Sequence, residues 1–518
     1  MAAEATGNGA GADAAGGSGP IVVAIDAGTT GVRAFAVDGD GTPVGRAYRE
    51  FTQHFPEPGW VEHDPTEIWD TTRAVLAELC GELDRPVAAI GITDQRETVV
   101  AWDRRTGAPR HRAIVWQDRR TAGRCDELRE AGELERVREL TGLVLDPYFS
   151  ATKFEWLLGP GGVQADDDLV LGTIDSWLVW QLTGGAEHVT DPSNASRTML
   201  YDLRSGAWSE ELCDLFGVPR RALPEVRPSA GTFGTTVEGC GAPAGVPISG
   251  IAGDQQAALF GQACIRPGMA KNTYGTGSFV LMNVGDTCPP PTEGLLTTVA
   301  WALPAAVLGT SGSGTVTHYA LEGSIFVTGA AVQWLRDGLG IIAEAPEIGP
   351  LAETVEDTGG LMIVPAFTGL GSPYWDPYAR GTILGISRGV GRAHLARAVV
   401  ESMAYQTRDV VDAMTRASRA PIDELRVDGG AAAMDLLLRI QADQLGVPVA
   451  RAAVAETTAL GAAYLAGLGA GVWSTAEEVS ARWKADAVVQ PSEDRTAADA
   501  GFAMWCRAVE RSRGWATG

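Results

Sequence analysis

The sequence predicts an α/β protein of two lobes with a ligand-binding cleft between them, and three observations lead there. An apolar strand runs three times into a turn of glycines with small hydroxyl or acidic residues. Residues 21–25 lead into Asp26-Ala27-Gly28-Thr29-Thr30, 270–274 into Gly275-Thr276-Gly277-Ser278, and 425–427 into Asp428-Gly429-Gly430. Strand patterns alternate with helix patterns in both halves. A chain of 518 residues is also too long for a single hydrophobic core. Glycine lets the backbone approach a ligand so that its N–H groups converge on an anion, and threonine hydroxyls add donors. Each turn alone more often serves plain chain reversal. Three together point to a nucleotide held between the lobes.

From Ile21 the chain reads as strand, turn, strand (32–37), a Gly-Asp-Gly turn and a third strand. Asp64-Pro65 starts a helix reaching Leu83. A strand over 87–92 ends in Thr93-Asp94-Gln95-Arg96-Glu97. Another buried strand, 247–252, stops at Gly253-Asp254 and is followed by a helix over 255–264. After Pro267-Gly268 the pattern restarts with a strand and a Gly/Thr turn, echoing the opening. The lobe boundary is therefore placed near 264, giving lobes over 21–263 and 264–518 behind a small-residue tail, 1–20. Helices are expected over 329–338, 392–416, 431–445 and 457–468, the last rich in small residues that pack closely.

Composition narrows the function. The hydrophobic fraction of 45% and a mean hydropathy of zero describe a soluble globular protein. The most apolar stretch, 299–308, is short and contains Pro304, so no membrane insertion is expected. Residues 1–20 lack the basic and apolar regions of a signal peptide. A net charge of −24 excludes nonspecific nucleic-acid binding. The seven cysteines are dispersed without a C-x-x-C pair and read as reduced thiols of a cytoplasmic protein.

Phosphoryl transfer to an alcohol needs a phosphate cradle, a metal, a base and donors that fix the acceptor. Asp254, between strand and helix, is either the general base or the N-cap of the helix beginning at Gln255. Arg96 and Glu97 offer a donor fork beside an acceptor, which suits a small polyol, or else they sit in an exposed loop. Trp116 and Tyr148 either wall off a carbon backbone or are core aromatics. Arg33 can reach a transferring phosphate, or face solvent from its strand. None of the six histidines falls in a nucleophile–base arrangement.

Read together, these segments resemble the FGGY carbohydrate-kinase family from about Ile21 to about Trp473. The resemblance rests on Asp26–Thr30, Gln95-Arg96-Glu97-Thr98, Val115–Arg120, Tyr148–Lys153, Gly253–Ala258, Lys271–Gly277 and residues 381–401. It implies the actin-like ATPase fold, two ribonuclease H-like lobes closing over a cleft, and ATP-dependent phosphorylation of glycerol. Arg96, Glu97, Tyr148, Asp254 and Gln255 would hydrogen-bond the polyol, with Asp254 as base. Trp116 and Phe279 would cover its carbon face. Thr29, Thr30, Gly31, Arg33, Thr276, Gly329, Gln333, Gly430 and Met434 would surround ATP, and Asp26 with Asp254 would organise Mg²⁺. A homo-oligomer, dimer or tetramer, is expected.

The chain also departs from the family pattern. Ala27 replaces a Gln, and Gly31 and Val32 replace two serines, so one hydroxyl donor toward ATP is lost. Met434 replaces an Asn on the adenine side, which removes a contact worth on the order of 1 kcal/mol. Residues 235–245, where some relatives carry an Arg-bearing inhibitor loop, hold no basic residue, so inhibition by a sugar bisphosphate is not expected.

Overall fold

Two mixed sheets repeat one topology in a computed structural model that describes residues 19–516, which leaves nearly all of the 1–20 tail outside the described residues. In the first sheet Ile21–Ala27 pairs antiparallel with Gly31–Val37, and that strand pairs with Pro43–Glu50. On its other side Ile21–Ala27 lies parallel to Val87–Asp94, and then comes Pro247–Gly253. In the second sheet Ala270–Tyr274 pairs antiparallel with Ser278–Gly285, which pairs with Thr315–Ile325. Its parallel neighbours are Leu425–Gly429 and then Val449–Ala452. The echo after Pro267-Gly268 is thus a repeated sheet. Ile21 to Ile25 are all fully buried, as a strand covered on both faces must be, which is why it reads as an unbroken apolar run.

The helix Pro65–Glu82 starts as expected: the Asp64 carboxylate accepts the Thr66 N–H at 2.8 Å, with Pro65 in the first turn. Three expected helices differ in form. The helix after Gly253 spans Asp254–Gly261 and ends earlier than residue 264. Residues 329–338 divide into Gly329–Gln333 and a π-helical turn, Trp334–Gly338. Residues 430–445 divide into a 3₁₀ turn, Gly430–Ala433, and the helix Asp435–Leu445, with Met434 extended between them. Gly429 enters this segment at a positive φ of 86°, which glycine adopts without strain, and the chain winds first as a 3₁₀ turn before the α-helix starts.

The helix Thr457–Gly469 follows the strand Val449–Ala452 of the second sheet in sequence yet lies on the first. A Cβ added at Gly91 would stand 2.2 Å from the Ala462 carbonyl oxygen, and the Ser249 hydroxyl donates to the Ala466 carbonyl at 2.8 Å. This helix also crosses Asp254–Gly261 with backbone against backbone. A Cβ at Gly461 would be 1.8 Å from the Ala257 oxygen, and one at Gly261 would be 2.0 Å from the Thr457 oxygen. Its small residues are therefore required by the crossing. Among the described residues no helix is long and apolar enough to cross a membrane, and all seven cysteines are unpaired.

Candidate active site

The ends of three adjacent parallel strands gather the first group of side chains. Register pairs Asp26 with Thr93, Ala27 with Asp94 and Gly253 with Asp94, so Asp26, the Gln95–Glu97 loop and Asp254 leave the sheet together. Ligands of open α/β sheets bind at such ends. Gly253 occupies the cap position of the following helix and has no side chain to accept the first helical N–H groups. Asp254 is instead the first helical residue. Its carboxylate accepts the Gln255 N–H at 2.8 Å, meets Arg96 Nε at 3.2 Å, and keeps 31% of its side chain exposed.

Arg96 is not in an exposed loop; it is 2% exposed and saturated with partners. Nη1 and Nη2 donate to the two Glu322 oxygens at 2.6 and 3.2 Å, Nη2 also to the Tyr148 hydroxyl at 3.2 Å, and Nη1 to Gln256 at 3.3 Å. Glu97 is held in left-handed backbone (φ 63°), a conformation costing a non-glycine residue on the order of 1 kcal/mol. Arg197 Nε anchors its carboxylate at 2.7 Å. Burial raises the Glu97 carboxyl against the pull of Arg96 and Arg197. Burial would lift Glu322 as well, but Arg197 and Arg96 outweigh it and hold that carboxyl down at about 2.

Arg197 and Glu322 were not singled out from sequence. The available signal was a lone charge in an apolar strand, Ala320-Leu321-Glu322-Gly323, because a buried carboxylate demands a cationic partner.

Aromatic side chains stand beside this cluster. The Trp116 ring lies 5.6 Å from Tyr148 and 6.4 Å from Phe279, which belongs to the second sheet, and the Arg96 guanidinium is 5.8 Å from the Phe279 ring. The Trp116 indole N–H donates to the Thr29 hydroxyl at 2.9 Å, tying these aromatic rings to the first glycine turn. Lys153 fixes the Tyr148 loop by donating to the carbonyls of Pro147, Tyr148 and Phe149 at 3.1, 2.6 and 2.9 Å. The oxygen of Gln255 is taken by Lys271 Nζ at 2.6 Å, which leaves its amide N–H₂ as the end free to donate. Burial draws the Lys271 ammonium down to about 8.

The groups expected around the nucleotide lie on both lobes. Arg33, 32% exposed, sits 3.4 Å from Asp26 and over the Tyr48 ring. Burial lifts Asp26 to about 6 against the pull of Arg33, and the neighbouring Asp254 and Glu456 charges lift it further. Thr30 lies in the turn, where its carbonyl accepts the Phe51 N–H at 3.2 Å. At Gly31 a Cβ would meet the Arg49 carbonyl at 2.4 Å and the Tyr48 hydroxyl at 2.8 Å. A serine has no room there, so the absent hydroxyl is a consequence of strand packing and not a donor removed from an open site.

On the second lobe the Tyr274–Gly429 register sets the 275–277 turn beside Gly429-Gly430. Thr276 is exposed, while its carbonyl accepts the N–H groups of Thr328 and Ala330; Gly329 donates to Gly275 at 3.0 Å. Gly430 and Gln333 are exposed, and Met434 packs at Gly349. The buried Asp428 carboxylate accepts from Gln262 and Thr457 at 2.7 and 2.6 Å, which ties together the chain around the two crossing helices.

Comparison with known proteins agrees with this arrangement. Residues 21–261 match the N-terminal domain, and residues 270–470 the C-terminal domain, of the FGGY family of carbohydrate kinases. The chain is 54% identical over 501 residues to a glycerol kinase of Carboxydothermus hydrogenoformans, covering 95% of this chain and 98% of that one. It is 56% identical over 503 residues to a glycerol kinase of Trichlorobacter lovleyi, covering 96% and 99%. The crystal structure of Plasmodium falciparum glycerol kinase with ADP superposes with a TM-score of 0.88 at 34% identity, over 95% of this chain and 98% of that one. A xylulose kinase from Lactobacillus acidophilus, 21% identical, shares the fold with a TM-score of 0.84 over 94% of this chain and 97% of its own. The two repeated lobes are the actin-like fold of these kinases, and the chain belongs to the FGGY family of carbohydrate kinases.

Proposed function

We propose that this protein transfers the γ-phosphoryl group of ATP to glycerol, forming sn-glycerol 3-phosphate. The observation that carries the proposal is the convergence of Arg96, Glu97 and Asp254 beside the Trp116, Tyr148 and Phe279 rings. Each hydroxyl of a small polyol gives and takes a hydrogen bond, and a guanidinium Nε–H edge next to carboxylates meets both needs. The identity to glycerol kinases across nearly the whole chain supports glycerol as the acceptor.

Asp254 accepts the proton of the attacking hydroxyl, whose oxygen bonds to the γ-phosphorus as the bond to the β–γ bridging oxygen breaks. ADP leaves with that electron pair. Tyr148 and the Gln255 amide orient the polyol, and Trp116 and Phe279 exclude water from its carbon face. Thr29, Thr30, Gly31 and Arg33 serve the transferring phosphate from one lobe. Thr276, Gly329, Gln333, Gly430 and Met434 hold the nucleotide from the other. Closure of the lobes removes water, which competes as acceptor.

Asp26 and Asp254 fit a Mg²⁺ ion. They repel one another strongly enough to help raise Asp26. Among the described residues no three His, Cys, Asp or Glu side chains gather at metal-binding spacing. Two carboxylates are what Mg²⁺ takes when phosphates and water complete its shell. When bound, Mg²⁺ would neutralise phosphate charge. The unpaired thiols accord with a cytoplasmic enzyme.

The test is ADP release by purified protein with MgATP, with and without glycerol. Glycerol-dependent turnover is expected, falling on the order of 10²–10⁴-fold in Asp254→Asn. Turnover that ignores glycerol, or an unimpaired variant, would overturn the reading.

A further inference from the structure

Glu322 belongs to the strand Thr315–Ile325 of the second sheet, opposite Leu281 and Leu296 on the neighbouring strands. It is 0% exposed, yet its carboxylate serves the other lobe: Arg96 at 2.6 and 3.2 Å and Arg197 at 2.9 Å. Within its own strand it receives only the Ser324 hydroxyl, at 3.4 Å. Burying a carboxylate between two guanidinium groups is a poor way to stabilise a strand, because well-packed apolar residues serve as well or better. The arrangement is instead directional. Glu322 grips the Nη1–Nη2 end of Arg96, and the Nε edge is what remains facing Asp254 at 3.2 Å.

We propose that Glu322 is a positioning residue for the phosphoryl acceptor: from the opposite lobe it fixes the Nε edge of Arg96 beside Asp254, so that acceptor binding depends on how the two lobes seat. The inference rests on the reading of Arg96 as an acceptor-binding group. Arg197 completes the grip by bridging Glu322 to Glu97, so the donor and the acceptor offered to a polyol share one anchor in the second lobe. Its charge keeps the set neutral, two arginines against two glutamates, and the carboxylate can be neutralised without changing its shape.

The experiment is steady-state kinetics of full-length Glu322→Gln, with circular dichroism and thermal melting as controls. The expected result is a KM for glycerol raised on the order of tenfold or more, with the KM for MgATP within about twofold of wild type. A folded variant that melts earlier but keeps the wild-type KM for glycerol would overturn the proposal, since a purely structural role predicts that outcome. So would equal rises in both KM values. If Glu322→Gln does not fold, the double variant Glu322→Gln, Arg197→Gln leaves Arg96 and Glu97 as a neutral pair. It is compared with Arg197→Gln alone, and a glycerol KM no higher than that of the single variant refutes the role. A wild-type protein inactive on glycerol would refute the assigned substrate but not the positioning role, which is then read from the KM of whichever polyol supports turnover.

Discussion

Gly461→Ala separates the geometry of the helix crossing from local helix propensity, because the two give opposite signs. In a helix interior alanine is favoured over glycine by about 1 kcal/mol, so an isolated Thr457–Gly469 helix would gain. At the crossing, however, the added methyl carbon would stand 1.8 Å from the Ala257 oxygen and 2.9 Å from the Gly261 nitrogen. A tight carbon–oxygen contact needs about 3.3 Å, so the helices must part by about 1.5 Å. Backbone on both sides leaves no side chain that can swing away. Overpacking of this kind costs about 1–3 kcal/mol, which offsets or exceeds the propensity gain. The functional cost is larger, since Ala257 lies one turn from Asp254 on the same helix. A base displaced by about 1 Å loses on the order of 10²-fold in turnover. The assay is kcat and thermal melting for Gly461→Ala, with Gly123→Ala as the control. Gly123 is also helical but has nothing within 4 Å of its added Cβ, so it should be neutral or stabilised. Wild-type kcat in Gly461→Ala, with stability equal to or above wild type, would refute the view that this crossing sets the position of Asp254.

Other consequences can be measured on the same protein. Trp116→Phe keeps an aromatic face but removes the donor to Thr29, so the KM for glycerol and for ATP should both rise roughly fivefold, as loss of about 1 kcal/mol implies; unchanged values would detach the indole N–H from either site. Met434→Asn restores a polar group on the proposed adenine side and should lower the KM for ATP by a similar factor, whereas a rise would assign Met434 to packing at Gly349. The folded value of Glu322, about 2, lies below its ordinary 4.5, so its stabilisation is complete above pH 4.5 and is lost as pH falls through 2. That difference amounts to about 3 kcal/mol. Chemical denaturation between pH 5 and 2 should therefore show a shallower acid limb in Glu322→Gln than in wild type, and equal slopes would count against the buried pairing.

The residues that were legible in the sequence share a physical origin. A parallel strand buried on both faces must be apolar throughout, so Ile21–Ala27 and Pro247–Gly253 announce themselves, and with them the strand ends that carry Asp26 and Asp254. Small residues in Thr457–Gly469 forecast close packing for the same kind of reason, although the surface they pack on was not legible. What stayed hidden depends on partners remote in sequence. Glu322 meets Arg96 across 226 positions and Arg197 across 125, and no local pattern encodes either distance. Gly31 looked like a missing ligand group because the strand pairing that brings Arg49 and Tyr48 against it is absent from a linear reading.

The Glu322 strand still carried usable information. A charge that cannot reach water obliges the fold to supply its opposite, and the groups able to do so at depth are few. Here that obligation falls on two arginines, one of them beside the proposed catalytic base. The contact that makes burial of Glu322 tolerable and the contact proposed to orient the acceptor site are therefore one interaction, and a substitution on either side of the lobe interface is expected to act on both stability and chemistry.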